Sequence, residues 1–548
     1  MSGLARRLEA WLPRLPRAVL ALLLAAMVLG AALPAFTGLP VVDRDEARFS
    51  QSSKQMADTG ALIDIRFRDE PRYKKPVGIY WLQAATVAVL GPAGDTTIWH
   101  YRLPSLAAAV GAVVLTAEVG AVFGAGLVAG LLMAGVFLVL GEAHLATTDA
   151  VLLLTVVAAQ LPLARLYRAA REAGFAPAPL PLGQVVLFWG ALAVSILVKG
   201  PVGPMVVALT VLALGLAHRR GRWLLRLRPK AGLVGLLAVV LPWFVAITLT
   251  SGGAFWAEAL GHDLAGKVVS AQENHGAPPG TYLALVWITF FPASIPLALS
   301  LPAIWRARRL PGVAFAAAWA LPAWAVFEAA PTKLMHYPLP LYPALALATA
   351  LAWGGVARRW QWGLAGALAL LPLALLLAAA GYGLRLGAWG VLLPLGLALV
   401  VYDLGAVFAR GAARHGLRVA PLLGLWLMGA GFAGGVLGIM ARIPQLWPSP
   451  AILALARPTA DCPARPLFTA YGEPSLIFAS PAPVRDADAA AMAAALKADR
   501  CAVAVADDPA AFGAAAQAAG VQASVLGRVT GLNLGSGKPV ALTVYGVE

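Results

Sequence analysis

From Ala18 to Phe36 the chain runs nineteen residues without a charged side chain. As a helix that run is roughly 28 Å long, close to the thickness of a bilayer's hydrocarbon core. Comparable apolar runs recur, and the pattern predicts thirteen spans near 17–37, 103–121, 125–141, 148–164, 183–198, 202–217, 231–250, 282–303, 312–328, 338–355, 361–381, 387–407 and 419–441. After residue 442 the periodicity changes. "PLFTAYG" reads as strand, "DADAAAMAAALKADR" as helix, "CAVAVAD" as strand and "DPAAFGAAAQAAG" as helix, with closing strands in "VQASVLGRVTGLN" and "KPVALTVYGVE". The expected fold is a polytopic α-helical membrane protein with a small C-terminal α/β domain. Its expected division is a membrane domain over 1–441, with a first outer loop at 38–102, and an outer α/β domain over 442–548.

The segment Val77–Leu90 is apolar but only fourteen residues long, short for a span. Arginine placement decides how to read it. With the N-terminus in the cytoplasm and thirteen spans, every long arginine cluster falls inside: Arg165/Arg168/Arg171, Arg219/Arg220/Arg222/Arg226/Arg228, Arg306/Arg308/Arg309, Arg358/Arg359 and Arg410/Arg414/Arg418. Counting Val77–Leu90 as a span would invert all later loops. It is therefore expected to lie on the outer surface, with Tyr80 and Trp81 at headgroup depth. The N-terminal run, preceded by Arg6, Arg7, Arg14 and Arg17, resembles a signal peptide. Its length and the many spans behind it favour an uncleaved first helix.

Composition agrees with the membrane reading: of 548 residues 60% are hydrophobic and 12% charged. The formal charge of +16 would suit a nucleic-acid binder, but the arginines sit in short loops between spans and no basic stripe with interleaved aromatics occurs. Nucleic acid is excluded as a partner.

The other ionisable groups collect on the opposite side. Six of the seven lysines in the membrane domain fall outside: Lys54, Lys74, Lys75, Lys199, Lys267 and Lys333. So do His100, His144, His262, His275 and His336. On a helix, "DEARFSQSSKQMA" brings Asp45, Arg48, Phe49 and Ser52 to one face. Asp45 could act as a base, or simply cap a helix. Asp149, in "HLATTDAVLLLTVV", lies near the outer end of a span, where an ionised carboxylate needs a partner or water. Lys74 and Lys75, in "EPRYKKPVGIYWL", precede a proline that fixes the chain, a rigid place to hold a phosphate as well as an ordinary headgroup contact. "TKLMHYPLPLYP" presents Lys333, His336 and Tyr337 beside stiffening prolines. The loop "GHDLAGKVVSAQENHGAPPGTYL" carries His262, Asp263, Lys267, Glu273 and His275, with no local metal-ligand spacing. Lys199 sits at an outer turn, and Glu118 at an inner helix end reads as structural.

The succession "DRDEARF", "EPRYKKPVGIYWL", "RLPSL", "HLATTDAVLLL" and "TKLMHYPLPLYPALAL" resembles the bacterial protein-mannosyltransferase-like superfamily of integral glycosyltransferases, and within it the aminoarabinose transferase family of lipid A modification. The resemblance covers nearly the whole chain. It implies a multi-pass enzyme of the bacterial inner membrane, with active site and C-terminal domain in the periplasm. It also implies transfer of a sugar from a polyprenyl-phosphate donor to an envelope acceptor, lipid A or a related glycan. By position, Asp45 matches the essential first-loop aspartate and Asp149 the second cavity aspartate. Lys75 matches a lysine that contacts donor phosphate, His262 a loop histidine, Lys267 a phosphate-contacting arginine and Tyr337 a cavity tyrosine. Arg48, Arg72, Lys74, Lys333 and His336 join these as candidate substrate-binding residues.

Two departures stand out. The family's metal-binding Glu is Lys74 here, which leaves use of a divalent metal open, and the Tyr two residues before it is Arg72. The implied mechanism is inverting: Lys75 and Lys267, with Lys74, neutralise the leaving phosphate, and Asp45 deprotonates a hydroxyl acceptor or orients a phosphate acceptor. The alternatives are a protein O-glycosyltransferase of the same fold and a lipid or sugar transporter. A transporter would spread ionisable groups over both sides and mid-membrane. The two cysteines, Cys462 and Cys501, both fall in the C-terminal domain, as a disulfide or as two free thiols.

Overall fold

The computed structural model describes residues 16–42, 44–175, 180–219, 221–259, 261, 276–353, 359–415, 419–534 and 536–547. Among them nine helices are individually long and apolar enough to cross a bilayer: Arg17–Phe36, Ile98–Val122, Asp149–Glu172, Leu182–Lys199, Pro229–Ser251, Pro311–Ala329, Gly363–Arg385, Trp389–Arg410 and Val419–Ala441. Each corresponds to an expected span. The other four expected spans are helical but shorter or interrupted. The 125–141 run is a pair, Gly126–Ala134 and Phe137–Ala143, bent by 62°. Phe137 N–H at the bend donates to the Phe291 carbonyl at 2.8 Å, so a distant segment of the same chain supplies what the broken helix does not. The 282–303 run divides into Thr281–Thr289 and Ser294–Arg306. Pro292 lies in the break, where it lacks the N–H a continuous helix requires. Val202–His218 and Leu339–Ala352 are compact apolar helices.

Position in the bundle follows from side-chain size and polarity. In Asp149–Glu172, 89% of the apolar window is buried, against 17% in Gly363–Arg385 and 22% in Trp389–Arg410. The helix that begins with Asp149 is thus central, and Gly363–Arg385 and Trp389–Arg410 are peripheral. Leu249, Leu321 and Val400 are largely exposed, as lipid-facing side chains are. The helices Leu392–His415 and Val419–Ala441 approach so closely that a Cβ on Gly424 would lie 2.6 Å from the Gly405 carbonyl oxygen. Small residues permit that contact where lipid gives no hydrophobic drive.

Between the first two spans lie a polar helix, Arg44–Thr59, a hairpin of β1 (Arg66–Phe67) and β2 (Glu70–Pro71), and the apolar helix Gly78–Leu90. With 13 residues the last is too short to cross, as expected. Trp81, Val89 and Leu90 on it are exposed. Tyr80 faces inward, 0% exposed with its ring 5.4 Å from that of Phe49, while Trp81, about 100° further round the helix, is exposed.

The C-terminal domain holds a sheet of β3 (Leu467–Thr469), β4 (Val484–Asp486), β5 (Val503–Ala506), β6 (Ser524–Asn533) and β7 (Lys538–Gly546), in the order β4-β3-β5-β7-β6. β3 runs parallel to β4 and β5, and β7 antiparallel to β5 and β6. The two expected helices, Ala489–Ala498 and Pro509–Ala519, are capped by Asp488 and Asp508, whose carboxylates accept from backbone N–H groups. β4 and the short helix Pro474–Ala479 are too brief, at three and six residues, for periodicity to announce. Cys462 and Cys501 form a disulfide with Cα atoms 5.3 Å apart.

Candidate active site

The site is built on a buried ion pair. Glu46, 0% exposed, receives Nε and Nη2 of Arg102 at 2.8 and 3.0 Å. It also accepts the backbone N–H groups of Val42 and Ala146, at 2.7 and 2.8 Å. Arg102 donates further to the carbonyls of Leu39 and Pro40. Every strong donor of the guanidinium and both carboxylate oxygens are used, the condition under which a buried pair is tolerable. One knot therefore ties together the end of the first span, the loop helix, the second span and the segment that leads into Asp149. Gln83 adds a second tie, accepting from Ser53 Oγ at 2.7 Å and donating to the Ala146 carbonyl at 2.9 Å.

Asp45, next to Glu46, faces the other way. Its side chain is 56% exposed, and Arg72 Nη2 donates to Oδ1 at 3.4 Å. Partial desolvation pushes this carboxyl up, but the Arg72 guanidinium, then Lys75, Arg48 and Lys74, outweigh it and hold the pKa below the ordinary carboxylate value. Arg72 is itself buried and lies over the Phe49 ring at 5.2 Å. Tyr73, beside it, donates to Asp64 at 2.7 Å, and burial followed by that bond pushes its phenol up to about 12. The expected single face of Asp45, Arg48, Phe49 and Ser52 divides by depth: Phe49 and Ser52 are buried and Asp45 stands at the rim.

Asp149 opens its helix, where the N-terminal dipole favours a carboxylate. It is buried, and Lys199 Nζ donates to Oδ1 at 2.5 Å. His336 bridges two acids: its Nε2 lies 3.7 Å from Asp149 Oδ2 and its Nδ1 3.7 Å from Glu142 Oε1. Tyr337 joins the group, with Lys199 Nζ 5.6 Å from its ring centre. The start of the Gly78–Leu90 helix rests on the end of the Leu182–Lys199 helix, since a Cβ on Gly78 would sit 2.7 Å from the Leu197 carbonyl oxygen.

Of the candidates, Asp45, Arg48, Arg72, Lys74 and Lys75 form one cluster, and Asp149, His336 and Tyr337 another. The Glu46–Ala146 bond joins the segments that carry them. Lys333 is directed elsewhere: its ammonium donates to the carbonyls of Glu328 and Ala330, closing the C-terminus of the Pro311–Ala329 helix. His262 and Lys267 lie outside the described residues. Sequence reasoning passed over Glu46, Glu142 and Arg102. The signal for Glu142 was an acid seven residues before Asp149 in an apolar stretch; for Glu46 and Arg102 it was an acid in the first outer loop and an arginine near the outer end of the second span.

A divalent metal does not fit what is described. Lys74 stands where the resemblance implies a carboxylate ligand, and an ammonium repels a cation. Among the described residues no three His, Cys, Asp or Glu side chains converge on one point.

The dolichyl-phosphate-mannose-protein mannosyltransferase family matches residues 74–245. The undecaprenyl phosphate-alpha-4-amino-4-deoxy-L-arabinose arabinosyl transferase of Pseudomonas paraeruginosa (strain DSM 24068 / PA7) is 32% identical over 401 residues, 70% of each chain. The protein of the same name from Pseudomonas aeruginosa (strain UCBPP-PA14) is 31% identical over 399 residues, again 70% of each. In fold, the chain is similar to ArnT from Cupriavidus metallidurans bound to undecaprenyl phosphate, with a TM-score of 0.71 at 21% identity, over 95% of this chain and 97% of that one.

Proposed function

This chain belongs to the family of undecaprenyl phosphate-alpha-4-amino-4-deoxy-L-arabinose arabinosyl transferases, and on that premise we propose how its site works. It is a multi-pass protein of the bacterial inner membrane and a glycosyltransferase whose donor is a sugar linked to polyprenyl phosphate. The donor carrier we assign is undecaprenyl phosphate, as the relatives' names and the undecaprenyl phosphate held by ArnT suggest, and the acceptor we assign is lipid A, which the sequence resemblance implies. The reaction occurs on the periplasmic face.

One observation carries this reading: a carboxylate at the membrane's edge, Asp45, ringed by Arg72, Lys75, Arg48 and Lys74. The cations attract the donor phosphate. Arg72, held over the Phe49 ring, is a fixed cation beside Asp45. Lys75 and Lys74 compensate the charge that develops as the bond from sugar C1 to phosphate oxygen breaks and its electron pair moves to the phosphate. The acceptor oxygen attacks C1 from the opposite face, with inversion. A hydroxyl acceptor passes its proton to Asp45; a phosphate acceptor has none to lose, and Asp45 then orients it. Asp149, fixed by Lys199 and His336, lines the cavity beside the sugar.

The periplasmic assignment has two supports. Glu118 pairs with Arg17 and Arg165 at one end of the Ile98–Val122 helix, while Arg102 and the site occupy the other, so the arginine-rich end lies opposite the chemistry. The Cys462–Cys501 disulfide suits an oxidising compartment for the C-terminal domain, 442–548. That domain meets the site helix through Arg44 and Glu473, 3.6 Å apart. The test is transfer of labelled sugar from an undecaprenyl-phosphate donor to lipid A in proteoliposomes. Label on lipid A is expected. Donor crossing the bilayer with its sugar still attached would favour a transporter, and label on protein a protein O-glycosyltransferase.

A further inference from the structure

The C-terminal domain meets the membrane domain through a short wedge. Its helix Pro474–Ala479 lies against the loop helix Arg44–Thr59. Phe478 on it is 0% exposed, and its ring stands edge-on to that of Tyr101 at 5.1 Å. Phe478 forms one apolar cluster with Val87, Tyr101 and Ala146, and Ala57 of the loop helix packs against that cluster. The cluster adjoins the buried ion pair, since Tyr101 directly precedes Arg102 and the Ala146 N–H donates to Glu46. The reverse contact comes from the β1–β2 hairpin. Phe67, half-buried, packs against the core of the C-terminal domain, and Arg68 pairs with Asp486 of β4 at 2.5 Å. Arg68 has a left-handed backbone, φ 59°, which a residue with a side chain rarely adopts. Gln55 of the loop helix holds it there, accepting its N–H at 2.8 Å and donating to its carbonyl at 2.9 Å. Arg72 follows β2 directly, and its N–H donates to the Ile65 carbonyl at 2.8 Å, so Arg72 moves with the hairpin.

We propose that the C-terminal domain is a working part of the site, with Phe478 and Phe67 as positioning residues: they fix the loop helix against the hairpin, and so fix Arg72 against Asp45. This rests on the functional reading above. The domain grips both pieces of chain that carry the rim, the helix with Asp45 and Arg48 and the hairpin that leads to Arg72, Lys74 and Lys75. Contacts between domains of one chain ordinarily leave room for relative motion, and buried aromatic anchors remove it. The Arg68–Asp486 pair, with side chains 29% and 61% exposed, contributes little of that hold. Neither aromatic touches substrate. Each acts through the distance between Arg72 and Asp45, and in the groups of Phe49, Arg72 and Asp45 a small shift is felt directly by the carboxylate.

The test is the pH dependence of turnover by the full-length protein in nanodiscs, with a sugar-loaded undecaprenyl-phosphate donor and lipid A. The groups that set the charge around Asp45 are Arg72, Lys75 and Lys74 from the hairpin side and Arg48 from its own helix. Asp45 is already 56% exposed, so moving Arg72 away changes the charge it meets more than its hydration. Phe478→Ala is therefore expected to move the acid limb of turnover upward by about 1 unit, the size of effect an adjacent arginine exerts on an aspartate. Above the limb, kcat falls by about 10²-fold, the scale of a misplacement of about 1 Å. Phe478→Leu, which refills most of the socket, restores both toward the wild type. Phe67→Ala moves the limb in the same direction from the other side of the contact, and it decides the matter if Phe478→Ala does not fold. A domain that only adds stability would lower the thermal midpoint and leave the limb where it is. An unmoved limb in the active, folded variants overturns the inference alone. A wild type that transfers no sugar overturns the functional reading, and this inference with it.

Discussion

The two ends of the Ile98–Val122 helix use charge in opposite ways. At one end Glu118 is 26% exposed and meets Arg165 at 3.5 Å and the largely exposed Arg17 at 4.0 Å. At the other, Arg102 and Glu46 are both fully buried and hydrogen-bonded on every side. The first is a loose surface contact whose positive partners serve to orient the chain in the membrane. The second is a construction that only a fixed geometry can maintain. Charge at the first end can be exchanged freely; charge at the second holds the loop helix in place and so determines where Asp45 points.

The largest difference should appear on cutting each pair. Arg102→Ala leaves Glu46 buried and unpaired and is expected to cost about 3–5 kcal/mol, read as a lowered thermal midpoint in detergent or as loss of folded protein. A smaller effect concerns the cations at the rim. Asp45 titrates below the ordinary carboxylate range, so it stays ionised into acid solution and the acid limb of turnover should lie below that range. The sign for stability is the same: a depressed pKa stabilises the fold above the unfolded value, and the contribution is lost as pH falls through the folded one. Lys75→Gln removes one source of the depression and should move the acid limb upward. The smallest effect is expected from Glu118→Gln, within about 1 kcal/mol of the wild type. A loss there as large as that of Arg102→Ala would break the contrast between the two ends.

Much of this was legible in the sequence, for reasons that differ by residue. Long apolar runs define helices because only helices satisfy their own backbone in lipid, and each expected span is helical. The bend at 135–136 was not legible, since the contact that holds it comes from Phe291, far along the chain. Asp149 invited attention because a carboxylate in an apolar run must be explained, and Lys199 and His336 are its explanation. Asp45 and Glu46 are chemically alike neighbours, and periodicity cannot tell which turns inward. That choice belongs to Arg102, 56 positions away. Lys333 illustrates the converse: a lysine among apparently functional neighbours is taken up by helix-end carbonyls.

The central claim is that Asp45 acts on substrate while Glu46 holds structure. Turnover and thermal midpoint measured side by side on Asp45→Asn test it most directly. Turnover should fall by about 10²–10⁴-fold, the range for loss of a general base, with the midpoint unchanged. Turnover equal to that of the wild type in a folded Asp45→Asn protein would contradict the account.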